Sequence, residues 1–169
     1  MIKEGTAIRD LYTDYVEAGN VYEFLSDAYI AKGDKVKATA ELERYSKIGG
    51  RDPVTLKELA QMETEQGHKR EAAQVLERLN LIYLKDEEAH RRLGELDMEL
   101  GNANGAIREF GAVLAGSTID PAGTHYQLAR ALLAAKRTDD ARDEVIAALE
   151  SAPSFKPAQK LLLELSGKE

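Results

Sequence analysis

The chain has 169 residues, 43% of them hydrophobic and 31% charged, with a net charge of −7 and no cysteine. That length allows one domain with a sizeable core. The acidic balance argues against nucleic-acid or anionic-membrane surfaces, which need clustered Lys and Arg. The missing cysteines remove disulfides, thiolate nucleophiles and Cys-based zinc sites, while leaving the compartment open.

Residues 1–18 carry Ala7, Ile8, Leu11, Tyr12 and Tyr15 on one side at helical spacing, which predicts a helix there. Gly5 weakens its first turn by about 1 kcal/mol. From residue 19 onward the chain repeats with a period of about 34 residues. Position 7 of the repeat is Leu25, Leu59, Leu93 and Leu128, and position 8 is Ser26, Ala60, Gly94 and Ala129. Position 15 is Gly33, Gly67, Gly101 and Lys136, position 20 is Ala38, Ala72, Ala106 and Ala141, and position 24 is Leu42, Leu76, Phe110 and Val145. One extra residue in the Ser117-Thr118-Ile119 turn keeps the last register.

Each column has a physical reason. A glycine at position 15 ends a first helix and allows a sharp turn. Asp34, Asn102 and Thr138, at or near that turn, are candidates to cap the second helix. Small residues at positions 8 and 20 let two helices approach, and larger ones at 7 and 24 fill the space between them. Pro53, Pro121 and Pro153 fall near repeat junctions, where a missing N–H costs little. The expected architecture is all-α: hairpins at 19–52, 53–86, 87–121 and 122–155, preceded by a half-repeat helix over 1–18 and followed by a capping helix over 156–169. In this frame 1–18 matches the second helix of an earlier hairpin, and 156–169 a first helix. Leu161, Leu162, Leu163 and Leu165 make that last helix more apolar than a solvated cap requires, so a contact surface or a further covering element is expected. A segment cut from a longer protein is the simplest account of both ends.

On these columns the chain resembles the tetratricopeptide repeat (TPR) family over nearly its whole length. The resemblance implies a single domain, an α-α superhelix of about four hairpins, and a non-catalytic role in binding a protein or peptide, with a bacterial source expected. There are departures from the family pattern. Position 4, aromatic in the family, holds Tyr22, Leu56, His90 and His125, and position 11 holds Tyr29, Glu63, Asp97 and Leu132. In the family, positions 2, 5, 9, 12 and 13 of the first helices line a concave groove. Here that implies a partner-binding set of Glu23, Asp27, Lys57, Gln61, Arg91, Arg92, Glu95, Tyr126 and Arg130, acidic toward the N-terminus and more basic further along. The pattern matches the carboxylate clamp of chaperone-binding relatives only in part. Glu23 and Asp27 would repel a chain-terminal carboxylate, and starting from Lys57, Gln61 and Arg92 leaves Gly123 and Gln127 in the last two places. The competing reading, weighed below groove recognition, is that these charges only solvate an open surface.

Tyr12, Tyr15, Tyr22, Tyr29, Tyr45 and Phe24 crowd the first third. Tyr22 and Tyr29 fall on core columns, whereas Phe24 is expected to be exposed and available for self-association or docking to an upstream domain. An alternative reading makes the chain the C-terminal scaffold of a larger bacterial enzyme, such as a peptidase or other hydrolase, or of an envelope-assembly protein. The likeness is to the tails that follow hydrolase or peptidase domains.

No catalytic motif and no cofactor-binding motif is found: there is no nucleophile elbow, no phosphate loop and no metalloprotease helix. His90 and His125 share a packing column and read as half-buried structural residues, and His68 reads as an exposed turn residue. None has a second ligand at helical spacing, so neither a metal site nor enzymatic activity is expected. Glu87-Glu88 and Asp139-Asp140 sit at helix starts, where they complement the helix dipole. RNA binding of the pentatricopeptide kind would need a basic groove. The third repeat instead sets Arg91, Arg92 and Arg108 against Glu87, Glu88, Glu95, Asp97, Glu99, Glu109 and Asp120. No apolar run approaches the ~20 residues that cross a bilayer. Residues 1–5 do not open a signal peptide, so a soluble cytoplasmic or periplasmic setting is expected, any export signal lying upstream.

Overall fold

Ten helices make up the described residues, 1–17 and 19–167, of the computed structural model. They are α1 (Ile2–Leu11), α2 (Val21–Ile30), α3 (Lys35–Lys47), α4 (Pro53–Glu65), α5 (Lys69–Ile82), α6 (Glu87–Glu99), α7 (Ala103–Ala115), α8 (Pro121–Ala134), α9 (Thr138–Ser151) and α10 (Lys156–Ser166). The chain divides into two compact units, Met1–Leu84 and Lys85–Glu169. Unit 1 holds the hairpins α2/α3 and α4/α5 with α1 packed on α2. Unit 2 holds α6/α7 and α8/α9 with α10 packed on α9.

The hairpin turns show why position 15 matters. Gly33, Gly67 and Gly101 have φ of 76°, 83° and 77°, in the left-handed region that favours glycine. Lys136 takes the same conformation at φ 62° and bears the cost of a side chain there. The N–H of the following residue then bonds back to the position-11 carbonyl: Asp34 to Tyr29, His68 to Glu63, Asn102 to Asp97 and Arg137 to Leu132, at 2.7–2.9 Å. This closes the first helix's last turn.

Capping follows two patterns. Asp34 and Asn102 accept backbone N–H bonds at the starts of α3 and α7. Thr138 does not cap: it is the first helical residue of α9, whose N-cap is Arg137 with no side-chain bond. The junctions carry a signal that the sequence reading passed over. Asp52, Asp86 and Asp120 each precede a first helix and accept from the N–H three residues on. Pro53 and Pro121 then occupy the first helical turns of α4 and α8.

Packing density comes from the small columns. Ala38, Ala72, Ala106 and Ala141 are wholly buried, as are the position-24 residues Leu42, Leu76, Phe110 and Val145. A Cβ on Gly94 would lie 2.8 Å from the Phe110 ring, so the glycine makes room for the phenylalanine.

Two expectations need correcting. Helix occupies only Ile2–Leu11 of the stretch 1–18, with 12–17 irregular and Ala18 outside the described residues. Its buried side is not the Ala7-Ile8-Leu11 side either. Gly5 is buried instead, close enough that a Cβ there would meet Leu25 at 2.8 Å, while Ile8 and Leu11 are 50% and 77% exposed. The capping helix, expected over 156–169, runs Lys156–Ser166, and Lys168 and Glu169 lie outside the described residues. Within it Ala158 and Leu165 are buried, Leu161 and Leu162 pack partly on the unit 2 core, and Leu163 is exposed.

Candidate functional site: the faces of the first helices

At position 5 of the first helices, Glu23, Arg91 and Tyr126 turn inward on their own unit. Glu23, half-buried on α2, accepts from the Thr55 hydroxyl of α4 at 2.9 Å and from the Gly19 N–H at 3.1 Å. Arg91 on α6 donates to Glu87 at 2.7 Å, to Thr124 of α8 at 3.2 Å and to Thr118 at 3.3 Å. Tyr126 on α8 meets Phe155, the N-cap of α10, edge to face with ring centroids 5.6 Å apart. In these cases the position-5 side chain ties one first helix to the next. Glu87 is part of the same tie: the Thr118 hydroxyl and then Arg91 hold its carboxyl below the usual range.

Position 9 behaves differently. Asp27, Gln61, Glu95 and Arg130 are all exposed. Gln61 donates to Glu65 at 3.1 Å within α4, and Arg130 donates to Gln127 at 2.9 Å within α8. Lys57 and Arg92 are half-buried, and Arg92 pairs with Glu88 at 2.8 Å. In sequence, positions 5 and 9 form one set of groove columns. The structure separates most of them, because Glu23, Arg91 and Tyr126 reach the neighbouring first helix while the position-9 side chains stay exposed.

In unit 1 the α2/α4 face is acidic. Loss of water around Glu58 raises its carboxyl above the usual range, and Asp27 and Glu23 push it the same way. Unit 1 also has an open apolar cleft of about 530 Å³ lined by Gly5, Ile8, Tyr12, Tyr15, Val21 and Phe24, where Phe24 is 43% exposed. Tyr22, by contrast, is buried, and its hydroxyl donates to the Thr13 carbonyl at 2.6 Å.

The buried polar groups are internal ties. His90 Nδ1 lies 2.8 Å from Glu109, and His125 Nδ1 lies 2.6 Å from Glu144, each pair nineteen residues apart. Both pairs join the two helices of one hairpin. His90 is buried and His125 half-buried, so the packing column expected for them also carries a polar bond. The recurring His–Glu spacing was the available signal. At position 11, buried Glu63 meets His68 at 2.8 Å, and buried Asp97 accepts from Asn102 at 2.9 Å. His68 is itself exposed. Burial raises the Glu63 carboxyl, against the hydrogen bond from His68, and Glu43 adds to the rise. Among the described residues no cluster of three or more His, Asp or Glu side chains is arranged to hold a metal ion.

No protein-family model and no curated protein sequence matches the chain. Solved structures do. MamA (residues 41 to the end) from Desulfovibrio magneticus RS-1 superposes with a TM-score of 0.69 at 17% identity, over 88% of this chain and 83% of that one. YrrB, described as a TPR protein with an unusual peptide-binding site, gives a TM-score of 0.69 at 17% identity, over 95% of this chain and 80% of that one. This chain has the TPR fold. A third TPR structure, the first TPR of Spaghetti (RPAP3) bound to the HSP90 peptide SRMEEVD, superposes with a TM-score of 0.61 at 16% identity, over 69% of this chain and 91% of that one. At these identities the shared property is the helical-repeat fold. No helix of the described residues is long and apolar enough to cross a membrane.

Proposed function

We propose that the chain is a non-catalytic protein-interaction scaffold. In each unit the first helices present exposed position-9 side chains, Asp27 and Gln61 in unit 1 and Glu95 and Arg130 in unit 2, and these carry recognition of a peptide segment of a partner protein. The supporting observation is the contrast on those helices: Glu23 and Arg91 are held by internal hydrogen bonds, while the position-9 side chains stand exposed. Two structures of the same fold, YrrB and the first TPR of RPAP3, are described with a peptide-binding site or a bound peptide. Polar and charged contacts of this kind steer and select, so binding should weaken as salt rises.

The test is selection from a random-peptide phage library against the intact protein. Enriched peptides are then titrated against the native chain and against a variant with Asp27, Gln61, Glu95 and Arg130 all changed to Ala. These positions are exposed, so the variant should keep its helical circular dichroism. The expected result is a loss of roughly tenfold or more in affinity. Equal affinity for both proteins, or no enrichment at all, would overturn the reading.

A further inference from the structure

The first helices α8 and α10 of unit 2 depart from the other first helices in charge. α8 contains no aspartate or glutamate, and its one permanently charged side chain is Arg130. The residues that cap α4, α6 and α8 are the carboxylates Asp52, Asp86 and Asp120. Before α10 that place belongs to Phe155, which makes no side-chain cap bond. α10 itself brings Lys156 and Lys160 against Glu164. In a chain of net charge −7, α8 and α10 together carry Arg130, Lys156 and Lys160 against the single carboxylate Glu164.

Its geometry is also specific. Phe155 stands at 89° to the Tyr126 ring, and the Arg130 guanidinium carbon lies 6.0 Å from the centroid of Tyr126. A guanidinium offers five N–H donors in a planar fork. Gln127 takes one of them, and Arg130 has no carboxylate partner among the described residues. Arg91 and Arg92 differ, being paired with Glu87 and Glu88. Contact with an aromatic face holds the guanidinium in place, so less freedom is lost when it binds an anion.

Resting on the scaffold reading above, we infer that Arg130, Tyr126 and Phe155 form a platform for an acidic peptide segment. A partner Asp or Glu side chain takes the open donors of Arg130 as a charge-assisted pair, and the adjoining apolar residue lies against the Tyr126–Phe155 rings. The carboxylate belongs to a side chain inside an extended segment, so a free C-terminus is not required. The acidic α2/α4 face of unit 1, with Glu23, Asp27 and Glu58, repels the same ligand.

The experiment uses two dye-labelled, C-terminally amidated peptides of Pro, Leu and one charged residue type, either Glu or Lys. Each is titrated by fluorescence anisotropy into the intact protein. The Glu peptide should bind, more weakly as salt rises, and Arg130→Ala should weaken it roughly tenfold while leaving any binding of the Lys peptide unchanged. Tyr126→Leu, which keeps apolar bulk but removes the ring, should weaken the Glu peptide several-fold. Arg130→Lys should restore only part of the loss, because an ammonium lacks the fork. No binding of the Glu peptide, or binding indifferent to Arg130→Ala, overturns the platform. If library-selected peptides still depend on the position-9 residues in that case, the scaffold reading stands and only the platform falls. If they do not, both fall.

Discussion

In unit 1 the terminal helix α1 packs through Gly5 and Arg9, whose guanidinium donates to buried Glu41 at 2.6 Å, and it leaves Ile8 and Leu11 in solvent. In unit 2 the terminal helix α10 buries Ala158 and Leu165 and lays Leu161, Leu162 and Phe155 on the core. The two helices have similar apolar content but stand at different places in the repeat. Ile8 and Leu11 lie one period before Leu42 and Tyr45, which are buried in a hairpin whose first helix is α2. α1 has no such helix beside it among the described residues, so the same columns face outward. α10 is a first helix whose inner side meets α9. Burial therefore follows from which neighbour is present more than from the hydrophobicity of the segment.

The strongest way to break the comparison is inside unit 2. Phe110→Ala should cost about 3–5 kcal/mol in urea unfolding, because Gly94 leaves no side chain to fill the hole. A cost under half of that range would mean that the hairpin collapses around the gap. Next comes the pair that contrasts the two ends. Leu165→Ala should cost about 2–3 kcal/mol, whereas Leu11→Ala should stay within about 0.5 kcal/mol, both read from denaturation midpoints. Equal effects would erase the distinction between a packed and an open terminal helix.

Lys136→Gly should stabilise unit 2 by about 1 kcal/mol, because it relieves the positive φ that glycine already meets at the three other turns. An unchanged melting temperature would show that the Lys136 turn is unstrained. The smallest effect concerns Glu63 in unit 1, whose folded carboxyl is raised by burial, opposed by His68 and reinforced by Glu43; Glu43 in turn is lowered by Lys47. A raised pKa contributes stability that is complete below the ordinary carboxylate value and is lost as pH rises through the folded value. Glu63→Gln, which does not ionise, should therefore be slightly more stable than the native chain at neutral pH and little different in acid. A gain that is the same at both pH values would rule out ionisation as its source.

Much of the fold was legible because repetition averages out local ambiguity. Four registers agreed on Leu at position 7, small residues at 8 and Ala at 20, and a single glycine column placed the turns. The end of α1 at Leu11 was not legible, since Tyr12 and Tyr15 continue the helical spacing although both side chains are exposed. The candidate site was legible only as a set of columns. Glu23 and Arg91 look as available as Asp27 and Arg130 in a list of charges, yet Thr55 and Thr124 on the next helices engage them. The His–Glu pairs were visible as a spacing but not as contacts.

What the sequence alone determined was the periodic part: helix lengths, turn positions and the small-to-large packing columns. These depend on local backbone preference and on a period that recurs along the chain. Tertiary structure decided which polar side chains are consumed and which remain open, and which apolar columns find a neighbour. Those outcomes depend on distances across helices of only a few ångströms, and no spacing along one chain specifies them.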